Sequence, residues 1–309
     1  MCGIIYIKGK KDVRQSIYEQ YTRQKSRGSE GFGFIAINDV ASLVRTEKEK
    51  DIFQEMKKTP TREMLFHHRM PTSTPNFAEV AHPIKVSNDN LEYDYFVVHN
   101  GIITNDNEMK KKHEAIGFKY NTEIIKQYLT SGNTYESRSF NDSEALAIEV
   151  ALAIENRQAD IQAKGSSAFI ALQTDKLSRP IALYYGRNEG NPLILSKSKN
   201  KLMLSSEGLG ELIKSHILYC YNYKTGNTTE KEMTIGDKNP YLASNWGFNY
   251  HYTEDDLTDD WIDLVEEKES LQKALSKAQQ ESNFDLEEEL KYHLQEIDSE
   301  LKLQEYGLY

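Results

Sequence analysis

The chain opens with Met1-Cys2-Gly3-Ile4-Ile5. Loss of Met1, which the small residue behind it permits, gives Cys2 a free α-amino group beside its own thiol. The α-amine titrates near about 7.7–8.0 and a free thiol near about 8.5, so at neutral pH some neutral amine is available to take the thiol proton. The thiolate is the attacking form of cysteine. Cys2 is therefore a candidate nucleophile with its own base, although a cysteine at position 2 can also be incidental.

The residues after Cys2 favour a reactive thiol. Gly3 leaves room beside the side chain, and Ile4-Ile5-Tyr6-Ile7 is predicted to form a buried strand. A thiol at the end of a rigid strand is well placed to react. The second cysteine, Cys220, lies in the apolar run 217–221 and is predicted to be a core residue of a strand.

Length and composition predict a globular protein. The 309 residues, 38% of them hydrophobic and 10% aromatic, suffice for one large domain or two modest ones. The sequence contains no 18-residue apolar run and no signal-peptide pattern, so we expect a cytoplasmic protein that does not engage a membrane. Two cysteines are too few for a disulfide framework.

The negative charge is concentrated near the end of the chain. From Glu254 onward there are 18 Asp/Glu and 5 Lys/Arg, a local charge of −13, which leaves 30 acidic and 33 basic residues before that point. The body of the chain is nearly neutral. Because no basic surface with interleaved aromatic residues is evident, we expect no direct binding of nucleic acid.

Apolar periodicity predicts a mixed sequence of elements. Helices are predicted to begin at Asp12, ending before Arg27, and at 52–58, 106–118, 122–131 and 143–156. Strands are predicted at 4–7, 33–37, 43–44, 64–69, 95–99, 168–173, 181–185, 193–196, 201–205 and 217–223. Runs of strands with helices grouped between them predict an α+β layered sandwich rather than a doubly wound parallel sheet.

An irregular stretch from Gly236 to Trp246 predicts a domain boundary, with one domain at 1–240 and an extension at 241–309. Apolar residues beyond it recur at three- and four-residue spacings, which predicts one or two amphipathic helices. These acidic helices either pack as a hairpin on their own domain or form a docking or dimerising coiled coil.

Two short motifs precede residue 80. The run from Arg27-Gly28 to Gly33 has three glycines in seven residues, which indicates a tight turn or a close approach of the backbone. Arg69 ends a predicted strand, where its guanidinium could hold a carboxylate in a bidentate fork or form an ordinary surface ion pair. His67 and His68 should not both face inward on a strand, and no metal site is expected.

Two further motifs each allow two interpretations. Asn100-Gly101 is typical of a type I′ hairpin turn, but its carboxamide and glycine amide are also two donors that can converge on an oxyanion. Asn141-Asp142-Ser143-Glu144 is typical of a capping box, with Asn141 as the N-cap and Glu144 at the third helical position. Asp142 could instead present its carboxylate to a substrate ammonium.

The order and spacing of these motifs resemble the class II glutamine amidotransferases, most of all the glutaminase domain of glucosamine-6-phosphate synthase. The resemblance covers roughly residues 1–235. It implies the N-terminal nucleophile hydrolase fold, a four-layer αββα sandwich, here followed by a C-terminal helical extension. Two departures affect the loop over the site: Glu30 replaces the usual Asp, and Met70-Pro71 replace an aromatic and a small residue.

The resemblance also implies residue roles. Cys2 matches the nucleophile, its amine the base, and Asn100 and Gly101 the oxyanion hole. Arg69 matches the residue that binds the glutamine α-carboxylate, and Asp142 the one that binds the α-amino group. Arg27 matches an arginine that steadies the cysteine terminus, and Thr72 and His82 match further substrate contacts.

The implied activity is hydrolysis of the L-glutamine side-chain amide through a Cys2 thioester, without a cofactor. No synthase domain is recognisable, so the expected acceptor of the ammonia is a separate protein, which could dock on the acidic helices. The alternatives are a stand-alone γ-glutamyl peptide hydrolase and an inactive glutamine-binding scaffold. Homo-oligomerisation is left open.

Overall fold

The computed structural model describes residues 2–70, 77–130, 133–236 and isolated positions between 271 and 294; the side chains of 126–138 are not described. The chain divides into two compact units, Met1–Phe248 and Asn249–Tyr309. Most of the predicted helical extension, 241–309, lies outside the described residues; the five described positions in it, 271, 272, 275, 290 and 294, are helical. Within the described part of the chain, no helix is long and apolar enough to cross a membrane.

Most strands of the first unit belong to two antiparallel sheets. The first sheet has the order β13-β11-β12-β1-β4-β2-β3, and the second has the order β15-β14-β10-β9-β6-β5. The strands are β1 (Gly3–Gly9), β2 (Phe32–Ile37), β3 (Ala41–Thr46), β4 (Glu63–His68), β5 (Ile84–Val86), β6 (Asp94–Ile103), β7 (Ile124–Thr130), β8 (Asn133–Ser139), β9 (Gly165–Thr174), β10 (Pro180–Arg187), β11 (Ile194–Lys197), β12 (Lys201–Ser205), β13 (Glu211–Leu212), β14 (Ile217–Asn222) and β15 (Thr228–Glu232).

Four α-helices accompany the sheets in the described part of this unit: α1 (Arg14–Arg23), α2 (Glu49–Lys58), α3 (Asp106–Ala115) and α4 (Asp142–Ile154). Short 3₁₀ turns lie at Lys25–Arg27 and Ala78–Val80. The apolar positions of α1 and α2, such as Ile17 and Ile52, join the core cluster on the outer face of the first sheet. Helix α4 is buried on nearly every side because it packs against the outer face of the second sheet and against α3.

A third apolar cluster lies between the two sheets and fixes which way each strand faces. In β1, Ile4 and Tyr6 belong to this central cluster, whereas Ile5 and Ile7 face α1 and α2. In β6, Phe96 and Val98 are central. Since side chains alternate along a strand, every even-numbered position of β1 and β6 points into the space between the sheets. The packing order is helices, sheet, sheet, helices, and the predicted α+β class is confirmed.

The predicted helix at 122–131 is wrong. Residues Ile124–Thr130 form β7, which pairs with β8 from Ile124 opposite Ser139 to Thr130 opposite Asn133. Adjacent β-branched residues Ile124 and Ile125 favour extended backbone. The segment that follows supplies a partner strand, and this pairing outweighs the apparent helical spacing.

The hairpin-turn interpretation of Asn100-Gly101 is also wrong. Strand β6 runs through both residues without interruption, with Asn100 opposite Ala168 and Gly101 opposite Ser167 in β9. The long partner strand satisfies the backbone through this region, so the local turn preference does not decide the conformation. Cys220 does lie in a strand, as predicted, but it is only half-buried.

Candidate active site

The candidate nucleophile stands at the end of β1, at the centre of the first sheet. Strand β1 is flanked by β12 and β4, and Gly3 is opposite His68. Continuing the alternation back by one residue puts Cys2 on the side of Ile4, facing the space between the sheets. Its carbonyl accepts a hydrogen bond of 3.1 Å from Arg27 Nε.

The thiol of Cys2 is half-buried and lies 3.9 Å from the carbonyl oxygen of Met70. Burial raises the pKa of this thiol, whereas the positive charge of Arg69 acts to lower it and the carboxylate of Asp142 acts to raise it. Both charged groups are therefore close enough to act on the sulfur. A raised pKa increases the need for a base at neutral pH.

His67 and His68 are both fully buried, contrary to the expectation that only one would face inward. The reason is that β4 is covered on both faces, so consecutive side chains enter two different cores. His68 points toward α1, where its Nδ1–H donates to Gly28 O at 2.6 Å and its Nε2 accepts from Gln24 at 3.0 Å. Burial lowers the pKa of His68 to about 4.

Gly3 is required by the position of the His68 ring. A Cβ added at Gly3 would lie 1.8 Å from His68 Nε2. The amide of Gln24 that holds this nitrogen also donates to Ile4 O at 3.3 Å. The imidazole, Gln24 and the first residues of β1 therefore form one packed unit behind the nucleophile.

The glycine-rich segment after Arg27 serves a close approach of two backbones. A Cβ at Gly28 would lie 2.6 Å from the carbonyl carbon and oxygen of Arg69. The neighbouring amides complete the contact, because Glu30 N donates to Arg69 O at 3.0 Å and Arg69 N donates to Gly31 O at 2.8 Å. The segment thus fixes the backbone of Arg69.

Arg69 is buried, so the interpretation of it as a surface arginine is wrong. Burial lowers the pKa of its guanidinium, while the thiol of Cys2 and the carboxylates of Asp142 and Glu30 act in the opposite direction. The cation therefore lies within electrostatic range of both the nucleophile and Asp142. A buried guanidinium next to a thiol is a suitable partner for a substrate carboxylate.

Asn100 is fully buried, and neither its amide nitrogen nor its amide oxygen has a hydrogen-bond partner within the described ranges. The alternation in β6 directs its side chain into the space between the sheets. A buried carboxamide without a partner is costly, about 1–3 kcal/mol for each unsatisfied group. Buried polar groups normally bind protein, water or a ligand, so this carboxamide has hydrogen-bonding capacity to offer at the site.

Gly101 can only be glycine. Its φ is +152°, and a Cβ there would lie 1.9 Å from the carbonyl oxygen of Ser166. The position brings the backbone of β6 against β9 more closely than a side chain would permit. Asn100 and Gly101 are therefore held in extended backbone at the edge of the central space.

Asp142 is the first residue of α4, and its Oδ2 accepts a hydrogen bond of 2.8 Å from the amide of Ile103. Asn141 is the N-cap, as predicted, since its Oδ1 accepts from Ser143 N at 3.0 Å. The other half of the capping box is absent: Glu144 accepts instead from the amides of Asn121 and Thr122 at 2.7 and 2.8 Å. Both acids at this helix start bind backbone of other elements.

His82 lies beside His67, the histidine of β4 that contacts the carbonyl oxygen of His99. Its ring packs on that of His67, with centroids 4.1 Å apart, and neither of its ring nitrogens has a partner in the described structure. Burial holds the pKa of both imidazoles well below the usual value. The contact shown for His82 is thus with a neighbouring histidine. Thr72 lies outside the described residues.

Three residues at the site were not anticipated as functional. His99 directly precedes Asn100, and His67 lies 3.1 Å from the carbonyl oxygen of His99. Ser206 accepts a hydrogen bond of 3.0 Å from Ile4 N in β1. His99 adjoins Asn100 and His67 lies two residues before Arg69, so these positions in the sequence were a usable signal. Ser206 is 202 residues from its partner and carries no such signal.

A cavity of about 280 Å³ lies elsewhere, at the far end of β1 and β4, where Lys8 is opposite Glu63. Glu63 in its wall already accepts from Tyr6 at 2.6 Å, from Lys8 at 2.7 Å and from Tyr223. None of the predicted site residues lines this cavity. It is separate from the cluster around Cys2.

Several known proteins are similar to this chain over most of its length. No family model matches the chain. Glutamine–fructose-6-phosphate aminotransferase (isomerizing) of Buchnera aphidicola subsp. Baizongia pistaciae is 24% identical over 250 residues, covering 79% of this chain and 38% of that protein. Amidophosphoribosyltransferase of Escherichia coli K12 is 29% identical over 223 residues, covering 68% of this chain and 42% of its own length.

A solved structure described as the allosteric regulatory enzyme of purine biosynthesis has the same fold, with a TM-score of 0.55 at 18% identity, over 75% of this chain and 49% of that one. Over most of its length the chain is therefore similar in sequence to class II glutamine amidotransferases, and it shares its fold with the solved structure. It spans about two fifths of the length of these two curated relatives.

Proposed function

We propose that the first unit is a glutaminase that hydrolyses the side-chain amide of L-glutamine and releases ammonia. The observation that supports this most is the convergence of Cys2, Arg69 and Asp142, which act on one another electrostatically at the mouth of the space between the sheets. A thiol flanked by one cation and one carboxylate matches the zwitterionic end of an amino acid. The side-chain amide of Asn100, which has no partner among the described residues, supplies a hydrogen-bond donor for the oxyanion.

In this scheme Arg69 binds the α-carboxylate of glutamine and Asp142 binds the α-ammonium. Fixing both ends of the amino acid orients its side-chain amide toward the thiol, and such orientation is a large part of barrier reduction in enzymes. Asp142 is suited to the task because its Oδ2 is held by the amide of Ile103. Arg69 is suited because its backbone is held by the segment at Gly28–Gly31.

The chemical step forms a bond between Cys2 Sγ and the carboxamide carbon of glutamine. The thiol proton passes to the α-amine of Cys2, which exists once Met1 has been removed, and from there to the departing nitrogen, which leaves as ammonia. The oxyanion is stabilised by Asn100 Nδ2 and the amide of Gly101. Water then attacks the thioester and releases glutamate and the free thiol.

The test uses the electrophilic glutamine analogue 6-diazo-5-oxo-L-norleucine. We expect intact mass spectrometry of the purified protein to show loss of Met1 and a single adduct on Cys2, and glutaminase assays to show release of ammonia from glutamine. Cys2→Ala should fold normally and give neither adduct nor turnover. Turnover that survives in this variant, or a retained Met1 with no adduct, would refute the proposal.

We further propose that a separate ammonia-accepting synthase binds the acidic extension that begins near residue 241. The support is the charge of −13 from Glu254 onward in a chain whose preceding part is nearly neutral. Pull-downs with the full chain and with a chain cut after Phe248 test this. A synthase captured by the full chain alone is expected, whereas identical capture by both would contradict the proposal.

A further inference from the structure

We propose that His99 and Ser143 are a pair of positioning residues that hold the Asn100–Gly101 segment of β6 against the first turn of α4. The inference rests on the proposed function, since the reaction gives this segment its role as the oxyanion hole. The two residues act indirectly: they hold the Asn100–Gly101 segment in place and do not contact the substrate. His99 points to α4, away from the space between the sheets.

His99 makes two side-chain contacts with different elements. Its Nδ1 lies 2.8 Å from Ser143 Oγ in α4, and its Nε2 lies 3.3 Å from the carbonyl oxygen of Ser166 in β9. A carbonyl can only accept, so Nε2 carries the proton and Nδ1 accepts from the serine hydroxyl. Burial, which lowers the pKa of His99, favours this neutral form. The ring is therefore fixed in one tautomer.

A second contact with α4 lies four residues further along β6. Ile103 N donates to Asp142 Oδ2 at 2.8 Å, and Asp142 is the neighbour of Ser143. The side chain of Ile103 belongs to the same outer cluster as α4. Asn100 and Gly101 thus lie between two points at which β6 is bound to the start of this helix.

The carbonyl of His99, which is part of the peptide bond to Asn100, is held from the opposite face. His67 Nε2–H donates to it at 3.1 Å. His67 is two residues before Arg69 in the first sheet, so this bond joins the oxyanion segment to the strand that supplies the substrate cation. One residue, His99, is consequently linked to β4, β9 and α4.

The ring of His99 also lies directly on the oxyanion glycine. A Cβ added at Gly101 would be 2.6 Å from His99 Nε2. The imidazole and the backbone of Gly101 are therefore in close contact, and a tilt of the ring would move that backbone. Donors in an oxyanion hole act only at the correct distance, so the Ser143 hydroxyl indirectly sets the efficiency of catalysis.

The experiment measures steady-state glutaminase kinetics of Ser143→Ala in the full chain. We expect kcat to fall about tenfold, the size associated with one lost hydrogen bond to a buried group. KM for glutamine should stay within about twofold, because Asp142 retains its own bond to Ile103. Ser143→Thr, which keeps the hydroxyl, should restore kcat.

A double variant separates positioning from a general loss of stability. His99→Phe keeps a ring but has no nitrogen that could accept from Ser143, so adding Ser143→Ala to it should lower kcat no further. The matched control is Thr61→Val, which removes another buried hydroxyl, one that donates at 2.8 Å to Glu63 O at the far end of β4. This control should lose thermal stability and keep the kcat of the unsubstituted protein.

The possible outcomes distinguish the two proposals. If the unsubstituted protein hydrolyses glutamine and Ser143→Ala keeps its kcat, the positioning role is refuted while the glutaminase stands. A fall in kcat that Thr61→Val reproduces, or that is additive in the double variant, also refutes it. Absence of any turnover in the unsubstituted protein refutes the proposed function and this inference together.

Discussion

Substitution of Gly3 by alanine is expected to destabilise the first unit strongly, through a single steric conflict. The added Cβ would lie 1.8 Å from His68 Nε2 and 2.5 Å from the two adjacent ring carbons. The ring cannot simply turn aside, because Nδ1 is bound to Gly28 O at 2.6 Å and Nε2 to Gln24 at 3.0 Å. Gly3 is not among the residues with positive φ, so backbone strain contributes nothing.

The magnitude follows from two terms. Overpacking a well-packed core costs about 1–3 kcal/mol, and each of the two His68 hydrogen bonds that the displaced ring loses adds about 0.5–1.5 kcal/mol. We therefore expect a loss of about 3 kcal/mol or more in the free energy of unfolding. For a domain of this size that corresponds to a fall in Tm of about 6–12 °C.

Urea denaturation followed by circular dichroism measures the effect, with Gly3→Ala, His68→Ala and the double variant compared. Removing the ring should relieve the conflict, so the double variant should be much more stable than the sum of the two single effects predicts. Gly226→Ala is the control: its φ is +72° and nothing lies within 4 Å of the added carbon. It should cost only about 1–2 kcal/mol, from backbone strain.

Two results would show that the His68 ring does not confine β1. One is additive effects in the Gly3/His68 double variant. The other is a stability of Gly3→Ala within about 0.5 kcal/mol of the unsubstituted protein, a change typical of an unconstrained surface site. The position of Cys2 would then depend on the other groups that bind the start of this strand, among them Ser206 and Arg27.

Two other predictions concern charge. Arg69→Lys should raise KM for glutamine by about 10- to 100-fold, since a charge-assisted hydrogen bond of the guanidinium fork is worth about 1.5–3 kcal/mol; an unchanged KM in glutaminase assays would exclude Arg69 from substrate binding. The second prediction concerns stability in acid. The pKa of His68 is about 4 in the folded protein and about 6.5 in the unfolded chain. Between these two pH values the unfolded chain binds a proton that the folded protein does not, so the free energy of unfolding falls as the pH is lowered. His68→Gln should make this fall shallower, by at most about 1.4 kcal/mol per pH unit, and urea midpoints measured from pH 7 to 4 with an unchanged slope would contradict it.

Much of the fold could be predicted because most elements are encoded locally. Strand β1 and helix α4 have continuous apolar patterns, and the N-cap at Asn141 is an adjacent-residue signal that the structure confirms. The predictions that failed depend on partners distant in sequence. Ile124–Thr130 becomes a strand by pairing with β8, and Asn100-Gly101 is straightened by pairing with β9.

The sequence by itself determined which chemistry is present: a cysteine next to a small residue, an arginine that ends a strand, an acid in the first turn of a helix, and their order along the chain. Those properties belong to residue types and short spacings. Only the tertiary structure decided that Arg69 and Asp142 act on the same sulfur, that both His67 and His68 are buried, and that His99 links β6 to α4. The physical reason is that burial and charge proximity depend on which strands pair and which face of a sheet is covered, and these are set by contacts between residues tens to hundreds of positions apart.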